Sequence, residues 1–278
     1  MRYVSNHGKS KVLLVHSQLV RDLSRLGLEV GDMVMVHSSM RAVGKVLGGP
    51  DVVIRALLDV IGAAGTVVMY VDWEDAVQHL TRDDVAEKLD ERLLAKVHPF
   101  DPKTSRARRA YGILPEFLRT WPGACRSGNP DASVAAVGAQ AEWLCTDHPL
   151  QYGYGSGSPL AKLVDVRGKV LLLGAPFDTI TLLHYAEHMA RLPKKRVIHY
   201  REPLLVHGAK VWVEIEEFDT SQPVVPGAWE SYFADIVQEY FASGQGWSGQ
   251  VGQAPSYLLN AAELHQHAVA WMEGHFGT

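Results

Sequence analysis

The chain has 278 residues, 47% hydrophobic and 21% charged, with a formal net charge of −4. This is ordinary globular composition, with no basic stretch of the kind that nucleic-acid binding needs and no apolar run near the roughly 20 residues of a membrane span. Two cysteines, Cys125 and Cys145, are too few for a disulfide framework and sit in no CxxC motif, so the expectation is two reduced thiols in a cytoplasmic protein. The N-terminal region points the same way, because Lys9, Lys11, His16, Gln18, Arg21 and Asp22 interrupt any signal-peptide core.

In chain order, Val12, Val15, Leu19, Leu23 and Leu26 recur at helical spacing, and Gly27 follows as a stop. Asp32–Val36 reads as a buried strand ending at His37-Ser38-Ser39, and Pro50 opens a helix running to about Ile61. Thr66–Tyr70 is a second strand. This alternation predicts an α/β fold with a central sheet flanked by helices. From Val71 to about Arg109 the pattern loosens, and a helix around Leu114–Thr120 restores it.

Ser133–Val137 and Gly168–Gly174 read as further strands, the latter fully buried. Between them Tyr152–Pro159 is a glycine-rich loop, and Thr179–Leu192 a helix. Leu204–Val206 and Val211–Ile215 flank His207-Gly208 as a hairpin, and helices are predicted near Trp229–Ala242 and Ala254–Gly274. The expected organisation is one domain over residues 1–278, with a small C-terminal α+β lobe over roughly 200–278.

Three segments carry candidate chemistry. In the helix after the buried strand, His184 and His188 lie one turn apart and Glu187 is within reach of His184. The spacing admits three readings. It matches the inverted zinc-peptidase motif, with Glu263 as a candidate third ligand; it suits a metal-free general base, His184, oriented by Glu187; or it holds two structural histidines. The second segment is His37-Ser38-Ser39-Met40 with Gly44 and Gly48-Gly49, a strand end able to hold a phosphate or a thioester carbonyl, or a plain strand-to-helix turn. It lacks the GxxxxGK[ST] pattern, and no GxGxxG occurs. The third is acidic: Tyr70, Asp72, Trp73, Glu74 and Asp75 after the second strand, and Glu214, Glu216, Glu217 and Asp219 after the hairpin. Carboxylates beside aromatics suit a polyamine, and also describe a solvated face.

Taken together, these stretches resemble the aminoglycoside 3-N-acetyltransferase family over nearly the whole chain. The resemblance rests on Val36-His37-Ser38-Ser39, Ala42-Val43-Gly44 with Gly48-Gly49-Pro50, and Gly65–Tyr70. It continues through Pro99–Pro102, Phe117–Pro122, Arg126–Pro130, Tyr152–Gly155, Ser158–Leu163, Leu172–Pro176, Asp178–His184 and Gly249–Gly252. It implies an α/β/α fold distinct from the GNAT acetyltransferases, whose pyrophosphate loop Arg41–Val46 fails to match. It also implies acetyl-coenzyme A as cosubstrate without a metal, so that the His-x-x-Glu-His pattern is a coincidence of spacing. Asn129-Pro130 departs from the His-Pro of more distant relatives.

On that resemblance the acceptor is the 3-amino group of a 2-deoxystreptamine aminoglycoside, with another amine as the alternative. The expected roles are His184 and Glu187 in catalysis, and His37, Ser38, Ser39, Met40 and Ser158 toward coenzyme A. Tyr70, Asp72, Trp73, Glu74 and Asp219 are expected to face the antibiotic. The expected form is a monomer or homodimer. A non-catalytic aminoglycoside-binding protein is the rival class.

Overall fold

The computed structural model describes residues 2–4, 10–84 and 90–277, with side chains described from residue 13 onward. Its strands in chain order are β1 (Arg2–Val4), β2 (Ser10–Val12), β3 (Met33–Ser38), β4 (Thr66–Tyr70), β5 (Cys125–Arg126), β6 (Val134–Gly138), β7 (Lys169–Leu173), β8 (Val197–Val206), β9 (Ala209–Phe218), β10 (Trp247–Val251) and β11 (Ala254–Asn260). Seven form one mixed sheet in the order β10-β11-β7-β3-β4-β6-β5. At its centre β3 runs parallel to both β4 and β7, and β6 and β11 flank these antiparallel.

Alternation along the central strands builds two cores. Met33 and Met35 of β3, Val68 and Tyr70 of β4, and Val170 and Leu172 of β7 point to one face. Val34 and Val36, Val67 and Met69, and Leu171 and Leu173 point to the other. Helices His16–Leu26, Pro50–Ile61 and Leu114–Arg119 cover the second face, and Ala141–Cys145, Pro159–Asp165, Leu182–Met189, Tyr232–Ala242 and Ala261–Phe276 the first. The result is the expected sheet between two helical layers.

The first helix starts at His16, four residues beyond Val12 where the expected run began, and Lys9 lies outside the described residues. Its end is as expected: Gly27, at φ 110°, turns its N–H back to Leu23 and Ser24. The helix expected over Ala254–Gly274 is corrected to a strand and then a helix. Leu258 and Leu259 pack on opposite faces of the sheet, which only an extended chain allows, and Asn260 then caps the helix by accepting from the N–H groups of Ala262 and Glu263. The helix after β7 is shorter than expected, Leu182–Met189, behind a single 3-10 turn at Phe177–Thr179.

The hairpin is longer than its apolar stretches suggested. β8 and β9 pair over ten residues each, closing at His207 (φ 49°) and Gly208 (φ 81°), and stand as a separate two-stranded sheet. Of the region expected to form a C-terminal lobe, β10 and β11 instead complete an edge of the main sheet. Among the described residues no helix is long and apolar enough to cross a membrane, and Cys125 and Cys145 are free thiols.

Candidate active site

Because β3, β4 and β7 are parallel and in register at Ser38 and Leu173, their carboxyl ends open onto one crevice, the usual ligand position in an open α/β sheet. There a cavity of about 710 Å³ is walled by His37–Arg41 from β3, Tyr70 from β4, Tyr111–Ile113, Tyr154, the Ala175–Thr181 stretch after β7, and His184. A second cavity of about 420 Å³ is walled by Glu187, Ser221–Pro223, Glu230, Tyr232 and Phe233. Asp178, His184 and Thr220 line both, so the two chambers meet at His184.

The geometry around His184 is specific. Its Nδ1 lies 2.6 Å from Glu187 Oε2. A carboxylate only accepts, so in the neutral ring Nδ1 carries the proton and the lone pair is on Nε2. Glu187 is only 2% exposed, and its other oxygen accepts from the Tyr232 hydroxyl. The imidazole is flanked by the rings of Tyr154 and Phe233, with centroids 5.1 and 5.0 Å away. His188 points elsewhere, to Glu217 at 3.0 Å, and Glu263 receives the Tyr240 hydroxyl at 3.3 Å. The two histidines are thus committed to different carboxylates, and the described residues hold no cluster of three or more His, Cys, Asp or Glu side chains suited to a metal.

On the β3 side, Ser39 is already in use. Its Oγ caps the short helix Met40–Val43, accepting from Ala42 at 3.4 Å, and its N–H donates to the Leu173 carbonyl at 2.9 Å. Ser38, beside it, lines the cavity wall. Burial holds His37 down to about 4, so this imidazole is neutral near pH 7. Ser158 is fully buried and caps Pro159–Asp165 by accepting from Ala161 at 3.2 Å, outside both chamber walls.

Of the residues expected to face the antibiotic, Tyr70 does line the larger chamber. Its hydroxyl donates to the Asp131 carbonyl at 2.6 Å and meets the Tyr154 hydroxyl at 2.6 Å. The rest brace loops. Asp72 is buried against Arg108 at 3.1 Å, and burial lifts its carboxyl to about 7. Trp73 packs on Phe100 in a small core of its own. Glu74 holds Arg109 at 2.7 Å, and Asp219 holds Arg82 at 3.1 Å and the Ser221 hydroxyl at 2.5 Å. None of these four is on either chamber wall. The carboxylates that are there, Asp178, Glu187 and Glu230, come from the segment after β7 and the approach to helix Tyr232–Ala242. Asn129 is a loop brace, accepting from Asp131 and Ala132 and donating to the Pro149 carbonyl.

Residues 35–273 fit the family model for aminoglycoside 3-N-acetyltransferase. The chain belongs to this family. It is 46% identical over 263 residues to aminoglycoside N(3)-acetyltransferase III of Pseudomonas aeruginosa, covering 94% of each chain. It is 44% identical over 271 residues to aminoglycoside N(3)-acetyltransferase VIII of Streptomyces fradiae, covering 95% of this chain and 93% of that one. Among solved structures it superposes on AAC-IIIb in binary complex with CoASH at a TM-score of 0.92 and 52% identity, covering 96% and 99% of the two chains. It also superposes on sisomicin-bound AAC-VIa at 0.89 and 36% identity, covering 95% and 100%. The family relationship accounts for the mixed sheet and for the acyltransferase character of the site.

Proposed function

We propose that the two chambers divide an acetyl transfer between acetyl-coenzyme A and the 3-amino group of an aminoglycoside, with His184 as the base at their junction. The observation that carries this reading is the position of His184 on both walls, with Nδ1 tied to a buried carboxylate. The larger chamber suits the thioester arm: it is lined by Met40, Ile113, Pro115 and Ala175, and by Arg41 for anionic groups. The smaller chamber carries Asp178, Glu187 and Glu230 and no lysine or arginine, which suits a polycationic sugar.

An ammonium has no lone pair, so the acceptor must lose a proton before it attacks. That first proton goes to solvent, and His184 Nε2 takes the second as the amine nitrogen bonds to the carbonyl carbon of the acetyl group. The carbon–sulfur bond then breaks, and coenzyme A leaves as its thiolate. Negative charge developing on the carbonyl oxygen calls for a hydrogen-bond donor, and Ser38, on the wall of the larger chamber, is assigned that role, an effect worth about 3 kcal/mol when well aligned. Glu187 stabilises the imidazolium formed.

Neither cysteine suits an acetyl-enzyme route. Cys125 and Cys145 line a different cavity beside β5, and burial pushes the Cys145 thiol up to about 12. Asp178 and Glu230 take over the ammonium-binding role that the acidic runs suggested. The cleft draws walls from the sheet and from Thr220 beyond β9, which supports one domain over residues 1–278. With acetyl-coenzyme A as donor, the cytoplasm is the compartment assigned. The test is His184→Ala: the reading expects kcat to fall by at least about 100-fold with aminoglycoside binding retained by calorimetry. Near-normal turnover would remove His184 from the mechanism.

A further inference from the structure

A base that works through a buried carboxylate depends on what else that carboxylate touches. Glu187 has two oxygens and two side-chain donors: Oε2 receives His184 Nδ1–H, and Oε1 receives the hydroxyl of Tyr232. Tyr232 is itself buried, at the first turn of helix Tyr232–Ala242, with its ring against Phe233, Trp271 and Phe276. The packed ring leaves the hydroxyl little freedom to turn away, and Glu187, only 2% exposed on the wall of the smaller chamber, offers little surface to a replacement donor.

We propose that Tyr232 is a positioning residue of the reaction, completing a Tyr232–Glu187–His184 relay that sets both the orientation and the basicity of His184. Two effects follow. Fixing one carboxylate oxygen fixes the plane of the carboxylate, and through Nδ1 the direction in which Nε2 faces the junction of the chambers. Sharing the carboxylate's negative charge with a second donor also weakens its hold on the Nδ1 proton, so the imidazolium is stabilised less.

Burial and the neighbouring Glu187 hold the phenol far above its ordinary titration range, so it remains a donor throughout the working pH range. The other titratable groups around the relay are Tyr154 against the His184 ring, Asp178 and Glu230 on the chamber walls, His188 on the same helix with its partner Glu217 on β9, and Lys195, whose ammonium burial disfavours and Glu187 favours. None of them has a hydrogen bond to Glu187 that could replace that of Tyr232.

The expected behaviour of Tyr232→Phe is a kcat lower by about tenfold with KM for the aminoglycoside little changed. The acidic limb of the kcat/KM profile should move to higher pH by about half a unit or more, because Glu187, relieved of one donor, favours the protonated imidazole. In a Glu187→Gln background the same tyrosine change should cost little, since its route of action has gone. An unshifted profile with kcat within twofold, or an equal loss in both backgrounds, would overturn the proposal.

A second measurement uses the native enzyme and needs no variant. Nitrogen-15 histidine spectra above the His184 titration should show the Nδ1–H tautomer, and an Nε2–H tautomer would overturn the relay even if Tyr232→Phe failed to fold. The proposal rests on the acetyl-transfer reading for its rate readout alone. If wild-type enzyme transferred no acetyl group, that reading would fall, whereas the tautomer result would still decide the relay.

Discussion

His148 supports the site from behind, and replacing it should uncouple stability from pH in a calculable way. Its Nε2 donates to the Gly153 carbonyl at 2.7 Å, and its Nδ1 accepts from the Ser127 hydroxyl at 2.8 Å, while Ser127 Oγ accepts from the Val134 N–H at 3.0 Å. A carbonyl can only accept, so the proton is fixed on Nε2 and the neutral ring is fully satisfied. Gly153 lies in the turn that carries Tyr154 against His184. In His148→Phe the buried carbonyl and the Ser127 hydroxyl both lose their partner, at about 1–3 kcal/mol each, so the variant should lose about 4 kcal/mol at pH 7.5.

The pH dependence follows from burial, which holds His148 down to about 4 against a reference of 6.5. As pH falls below 6.5 the unfolded chain takes up a proton that the folded protein refuses. The contribution of His148 is therefore complete above about pH 6.5 and declines until about pH 4. By pH 5 the loss amounts to about 2 kcal/mol, from 1.36 kcal/mol per unit. Asp72, raised to about 7, acts in the opposite sense, its contribution declining as pH rises from its unfolded value. Both proteins share that term, so it cancels in the difference. Urea unfolding at pH 7.5 and 5 should show the gap between wild type and His148→Phe narrowing by about 2 kcal/mol. A gap that stays constant would refute the assignment of His148 as a buried neutral imidazole.

Other consequences are simpler to check. Asp178→Asn with Glu230→Gln should raise KM for the aminoglycoside more than it lowers kcat, and should flatten the dependence of kcat/KM on salt, measured by steady-state kinetics from low to high ionic strength. Trp73→Ala should cost about 3–5 kcal/mol in denaturant unfolding, as expected for a fully packed indole, without a selective change in KM for either substrate. The double variant Cys125→Ala, Cys145→Ala should acetylate at the wild-type rate, and a burst of enzyme-bound acetyl in the native protein would contradict direct transfer.

Much of this site is legible in the sequence because it depends on local periodicity. The buried run Val170–Leu173 announces a central strand, and the i, i+3 spacing of His184 and Glu187 places them together wherever the helix sits. What stays hidden depends on long-range pairing. Glu74 meets Arg109, 35 positions on, and Asp219 meets Arg82 across 137 positions, so their charges are consumed by partners that no window reveals. Ser158 precedes a proline and an apolar run, the signature of a helix cap, which is the role it has. The reverse error affects Ala254–Gly274, where Asn260 and Glu263 carry a capping pattern that marks the true helix start. Tyr232 and Glu230 reach the second chamber only because helix Tyr232–Ala242 packs against the turn Phe177–Thr179 and helix Ala261–Phe276, and nothing local signals that.

The central claim is tested most directly by following free coenzyme A thiol from acetyl-coenzyme A with gentamicin present and absent, each with and without a chelator. The account predicts release that requires gentamicin, proceeds unchanged with the chelator, and yields an antibiotic acetylated at the 3-amino group. Failure to release thiol with any aminoglycoside, or release abolished by the chelator, would contradict it.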